Sequence, residues 1–141
     1  MKRFSLFITF AFMVVMVCIP TMSLAEQSAD NIKYTEELIG TPDVLQGVWT
    51  VKAVVENGEV KTGNYQLARV RATEMFFPDS GTRTIEKIKY VEFTGDSNAI
   101  IIMKLDNNKD VVVQDYKQGL FMVEVFGEQK NDYLKFLITV T

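Results

Sequence analysis

Histidine is absent from the 141-residue chain, and cysteine occurs once, at Cys18. Without histidine there is no Ser–His or Cys–His catalysis, no imidazole zinc site and no histidine-ligated haem. Cys18 lies in an apolar leader, so the segment after the leader has no thiol for a disulfide or a nucleophile. The chain also lacks any basic run. Lysine and arginine number 15 against 18 acidic residues, a net charge of −3. An acidic chain of this kind is a poor partner for nucleic acid or an anionic membrane surface. Proline is scarce, with three residues, and Trp49 is the only tryptophan.

Residues 1–25 have the build of an export signal. Lys2 and Arg3 form a positive start, and Phe4 to Ile19 is apolar apart from Ser5, Thr9 and Cys18. Pro20 breaks the run, and Ser23-Leu24-Ala25 places small residues where a signal peptidase cuts. A membrane anchor wants about 20 apolar residues, more than this run offers. Cleavage near Ala25 leaves Glu26 to Thr141, periplasmic or secreted, with no membrane span. Removing Lys2 and Arg3 leaves 13 basic residues against 18 acidic, a charge of −5.

Residues 26–44 read as a polar linker or a short helical segment in which Ile32 and Leu38 share part of a face. Thr41-Pro42-Asp43 can open one helical turn, which Gly47 ends. From residue 45 to 141 the pattern is almost all strand. Val48 to Glu56 is rich in β-branched residues, and Asn57-Gly58 is a strong hairpin signal because both positions favour positive φ. Further turns fall at Asp79-Ser80-Gly81, Gly95 to Asn98, Asp106 to Lys109, Lys117-Gln118-Gly119 and Gly127 to Asp132. This spacing predicts an all-β fold: an antiparallel up-and-down meander of about eight short strands closing into a small barrel.

Turn geometry sets the expected register of the last strands. Pairing Leu105 with Asp110, Tyr116 with Leu120 and Tyr133 with Phe126 collects Ile100, Ile102, Val111, Val113, Phe121, Val123, Val125, Leu134, Phe136, Ile138 and Val140 on the core face. The opposite face then carries Ile101, Met103, Leu105, Val112, Leu120, Met122, Phe126 and Leu137. Such an apolar outer patch wants a cover. The 26–44 segment or a partner chain, including a second copy docking through Ile101, Met103, Leu105, Leu120 and Met122, is expected there.

Leu45-Gln46-Gly47-Val48-Trp49 resembles the opening motif of lipocalins and of shorter bacterial lipocalin-like domains. The resemblance implies that Gly47 permits close packing at the barrel base, that Trp49 plugs it, and that the barrel holds a small apolar ligand. Candidate ligand-binding residues are Trp49, Tyr65, Arg69, Arg71, Lys89, Phe93, Phe121 and Phe136. Arg69 and Arg71 alternate along one strand. Facing inward they could fork a carboxylate, and facing outward they would be solvated; the outward reading is favoured because unpaired buried arginine is costly. Strict alternation sends Lys87 and Lys89 inward, whereas a bulge near Lys89 would bring Ile88 inside and expose both lysines; the bulge is the favoured reading.

Asp106-x-Asn108-x-Asp110 looks like the start of a calcium loop. Val111 and Lys117 stand where that loop needs glycine and glutamate, so a hairpin turn is expected instead. Glu86 and Glu92 could serve as paired carboxylates only at a defined separation. The expectation is therefore a protein with no catalytic residues, metal or cofactor. It binds a small apolar or amphipathic ligand, or acts as an envelope interaction module or hydrolase inhibitor through its outer face and N-terminal segment.

Overall fold

A computed structural model describes residues 32–95, 99–129 and 131–141. The readings on residues 1–31, the leader and its cleavage site among them, lie outside the described residues. Nine strands follow one another: β1 (Ile32–Leu38), β2 (Gly47–Glu56), β3 (Glu59–Val70), β4 (Glu74–Phe77), β5 (Gly81–Phe93), β6 (Ala99–Leu105), β7 (Asp110–Asp115), β8 (Phe121–Phe126) and β9 (Tyr133–Val140). Strands β2 to β9 pair antiparallel with their chain neighbours, and β9 returns to pair with β2. The eight-stranded antiparallel barrel expected from the turn spacing is closed.

Segment 32–44 differs from expectation. Ile32–Leu38 is a strand that joins the sheet beside β5, not a linker or helix, and it does not cover the outer face of β6–β9. The reason lies in β4. Pro78 follows Phe77 directly and cannot donate to a ladder, so β4 stops after four residues. β5 runs on for 13 residues and offers β1 an edge. The helical turn does form, as a 3-10 turn at Asp43–Leu45, and Thr41 beside it is buried with its hydroxyl donating to the Ala72 carbonyl.

The hairpins follow their turn residues. Asn57 and Gly58 both take positive φ, at 53° and 80°. Gln118 and Gly119 do the same, and Tyr116 donates its N–H to the Leu120 carbonyl as that loop requires. The β6–β7 turn is where the register reading fails. Asn108 adopts a left-handed φ of 67°, Leu105 N–H bonds the Lys109 carbonyl, and Lys104 faces Asp110. The loop is one residue shorter than assumed, which turns β6 over. Ile101, Met103 and Leu105 therefore face the core, Met103 and Leu105 being wholly buried, and Ile100 and Ile102 face outward. Ile101, Met103 and Leu105 cannot belong to a partner surface. β7, β8 and β9 keep the expected faces, with Tyr133 opposite Phe126.

The interior is filled by side chains. Trp49, Val51, Ala68, Met75, Met103, Val111, Val123 and Ile138 are each 0–1% exposed. Leu45 and Phe136 pack with them in the same cluster. At the base, Trp49 Nε1 donates to the Leu45 carbonyl at 2.8 Å, and Val48 and Thr141 exchange two backbone hydrogen bonds of 3.0 Å. Both fit the role implied for the Gly-x-Trp motif. Among the described residues no helix is long and apolar enough to cross a membrane.

Candidate functional site

The ligand-binding candidates do not converge on one cavity. Trp49 and Phe136 are buried in the core, and Phe121 is half-buried against it. Phe93 is half-buried at the end of β5. Tyr65 separates from the arginines because the β2–β3 ladder slips between Trp49 and Thr50. Ala68 faces Trp49, Gln66 faces Thr50 and Leu67 is the extra residue. The slip places Tyr65 opposite Val51 on the inner face, half exposed, with its ring against Gly63. Strict alternation had put it beside Arg69.

Arg69 and Arg71 do come together, on the outside. Val70 between them is buried against the core, so its neighbours point away. They line an open concavity of about 530 Å³ with Gln66, Glu74, Phe76, Pro78 and Thr82. Its geometry follows from register: Phe76 lies directly opposite Arg69 on one side and Thr82 on the other. Phe76 is 43% exposed, a large apolar surface between an arginine and a hydroxyl. Among the described residues no carboxylate pairs with Arg69 or Arg71; the ion pairs lie elsewhere, at Lys61–Glu56, Arg83–Asp106 and Lys104–Asp110. Two unpaired guanidinium groups beside an apolar ring can fork a carboxylate while the ring takes the apolar body attached to it. Sequence alternation found the arginines; the concavity was invisible because β4, which supplies Phe76, meets β3 only in the folded sheet.

Lys89 also lies outside the barrel, in a second concavity of about 160 Å³ with Lys87, Ile102, Lys104 and Asp110. The β5–β6 ladder shifts between Ile85 and Lys87, which buries Ile88 and turns both lysines outward. The bulge sits at Glu86, a little earlier than the sequence suggested.

A third polar group stands where β1 meets β5. The rings of Tyr34 and Tyr90 meet edge-on at 6.2 Å. The Tyr34 hydroxyl donates to Glu36 at 2.8 Å and that of Tyr90 to Glu92 at 2.5 Å. Glu92 is thus a hydrogen-bond acceptor for a tyrosine. Bonding to Glu36 raises the Tyr34 pKa above the usual 10.0, and bonding to Glu92 raises that of Tyr90, with the carboxylate charges adding in the same direction. The folded state therefore holds these protons more tightly than the unfolded chain. Their stabilisation is complete below pH 10 and is lost as pH rises above it. Ultraviolet titration should show two phenols ionising late, and Glu36→Gln and Glu92→Gln should each bring one back toward the ordinary value. A single wave shared by every tyrosine would contradict this assignment.

On β8, Glu124 faces Lys135 in register, as the sequence suggested, yet its bonding partner is the Tyr133 hydroxyl at 2.5 Å. Loss of solvation raises its pKa, against the lowering effects of that bond and of Lys135.

The fold and these surfaces define a small, filled, closed antiparallel β-barrel with cationic concavities outside, an architecture consistent with a lipocalin-like barrel. No protein-family model, characterised protein or solved structure matches this chain.

Proposed function

We propose that this is an exported, non-enzymatic binding protein that takes a small amphipathic ligand with an acidic head group at the outer Arg69–Arg71 concavity. The observation that carries the reading is the pair of unpaired guanidinium groups next to exposed Phe76, on a barrel whose interior is occupied by its own side chains. A filled core leaves no room for cargo, which moves binding to the wall. The arginines fix the head group and Phe76 covers the apolar part. Lys89, Trp49, Phe93, Phe121 and Phe136 then have no contact with this ligand.

Calorimetric titration with dodecanoate, against neutral dodecyl maltoside and below micelle-forming concentrations, tests the reading. Dodecanoate should bind and the neutral amphiphile should not. Arg69→Gln and Arg71→Gln should each weaken binding by about tenfold or more, the loss expected for one charged hydrogen bond. Equal binding of both amphiphiles, or full affinity in the double variant, would overturn it.

One observation favours an interaction module instead. Among the described residues, Glu59 to Gln66 of β3 pair only with β2, and this edge exposes Val60 and Tyr65. An unpaired edge can accept a strand from another chain. If a partner or dimer is found and Val60→Lys with Tyr65→Lys abolishes it, the interaction reading gains over ligand binding.

A further inference from the structure

The outer face of β5–β6 gathers positive charge in a way that packing does not require. Lys87 lies directly opposite Lys104 in the ladder, and Lys89 lies two residues along on the same face, opposite Ile102. Like charges directly opposite on neighbouring strands repel and destabilise the pair. The concavity they line contains one carboxylate, Asp110, which is already 3.6 Å from Lys104. Three ammonium groups against one carboxylate leave a local excess of two positive charges in an acidic protein. The next carboxylate along the row, Glu124, lies beyond Val112 and is engaged by Tyr133. Lys87 and Lys89 have no ion pair among the described residues.

We propose that Lys87, Lys89 and Lys104 form a binding site for a phosphate oxyanion, separate from the arginine concavity. Lysine ammonium groups are compact point charges that can converge on one tetrahedral anion from several directions, where arginine would favour a planar fork. A phosphate seated between Lys87 and Lys104 turns their repulsion into two attractions. Lys89 supplies a third, and Asp110 holds the Lys104 side chain in place. Ile102 forms an apolar wall, so the anion can be inorganic phosphate or the phosphomonoester of a larger molecule.

Thermal unfolding of the purified protein in sodium phosphate and in sodium chloride, at matched ionic strength, provides the test. Phosphate should raise the melting temperature in a saturable way beyond chloride. In Lys87→Gln/Lys104→Gln the half-saturating concentration should rise by at least roughly tenfold, the loss of about one charged contact. The same variant should melt higher than the parent at low ionic strength without phosphate, because the opposed charges are gone. That gain shows that lost binding is not lost folding. A phosphate-specific shift that survives in the double variant, or no shift beyond chloride, would overturn the proposal. A water-soluble short-chain phosphatidate distinguishes the sources. If it competes with phosphate the site accepts a phosphomonoester, and if it does not the site takes the free anion. Arg69→Gln/Arg71→Gln should leave the phosphate response intact, so this site can fail or stand independently of the arginine concavity.

Discussion

Gly47→Ala should destabilise the protein by about 4 kcal/mol or more, a large share of the 5–15 kcal/mol that holds a domain of this size folded. Two effects add. Gly47 has φ of +136°, a conformation that side-chain-bearing residues rarely adopt. A Cβ there would also run into the carbonyl of Thr141, a backbone group, and meet Val140 Cγ1 at 3.5 Å. The chain end cannot yield freely, because Thr141 exchanges two hydrogen bonds with Val48 next to this glycine. Gly58→Ala separates the two causes. Gly58 also has positive φ, at +80°, but a Cβ there meets nothing within 4 Å. It should cost only about 1 kcal/mol, the conformational part alone. Urea unfolding of both variants checks this. A Gly47→Ala protein within 1 kcal/mol of its parent would mean that the base is looser than described.

The second large effect belongs to Trp49. It is fully buried, and its indole N–H bonds the Leu45 carbonyl, the turn that precedes the barrel. Trp49→Ala opens a cavity at a cost of about 3–5 kcal/mol. It also leaves the Leu45 carbonyl without its donor, a further cost of about 1–3 kcal/mol if no water reaches it. With each kcal/mol worth about 4–8 °C in a domain of this size, the melting temperature should fall by about 15 °C or more. Trp49→Phe keeps most of the volume and loses the hydrogen bond, so it should fall between the two. Because Trp49 is the only tryptophan, unfolding has to be followed by circular dichroism. A small change in Trp49→Ala would show that Leu45 and its neighbours close the base without the indole.

These two residues bear on function as well as stability. A ligand carrier that uses its interior keeps space there, whereas this barrel gives its interior to Trp49, Met75, Met103 and Phe136. Chemistry is left to the wall and the rim. The wall bears two cationic concavities of different character. One is a guanidinium pair beside an aromatic ring, and the other is a lysine cluster around a paired aspartate. Both exist because β-bulges or short strands re-aim side chains that regular alternation would have placed elsewhere.

The sequence by itself determined the class of fold. Turn residues at short spacing force antiparallel neighbours, and Asn57-Gly58 and Gln118-Gly119 adopt the positive φ values that such turns need. It also determined the absence of histidine and of any thiol beyond Cys18, and with that the exclusion of whole classes of chemistry. Alternation fixed the faces of β7, β8 and β9, because both of their connecting turns were read in the right length. Only the tertiary structure decided the face of β6. Asn108, entering the left-handed region, shortens one loop by a residue, and a period of two turns that single residue into a complete exchange of inside and outside. The bulge at Glu86, the slip at Leu67 and the early end of β4 are decided in the same way, by how a ladder closes against its neighbours. They determine which of Tyr65, Arg69, Arg71, Lys87 and Lys89 share a surface. Local propensity cannot supply that information, because closure of the barrel sets the pairing of distant strands.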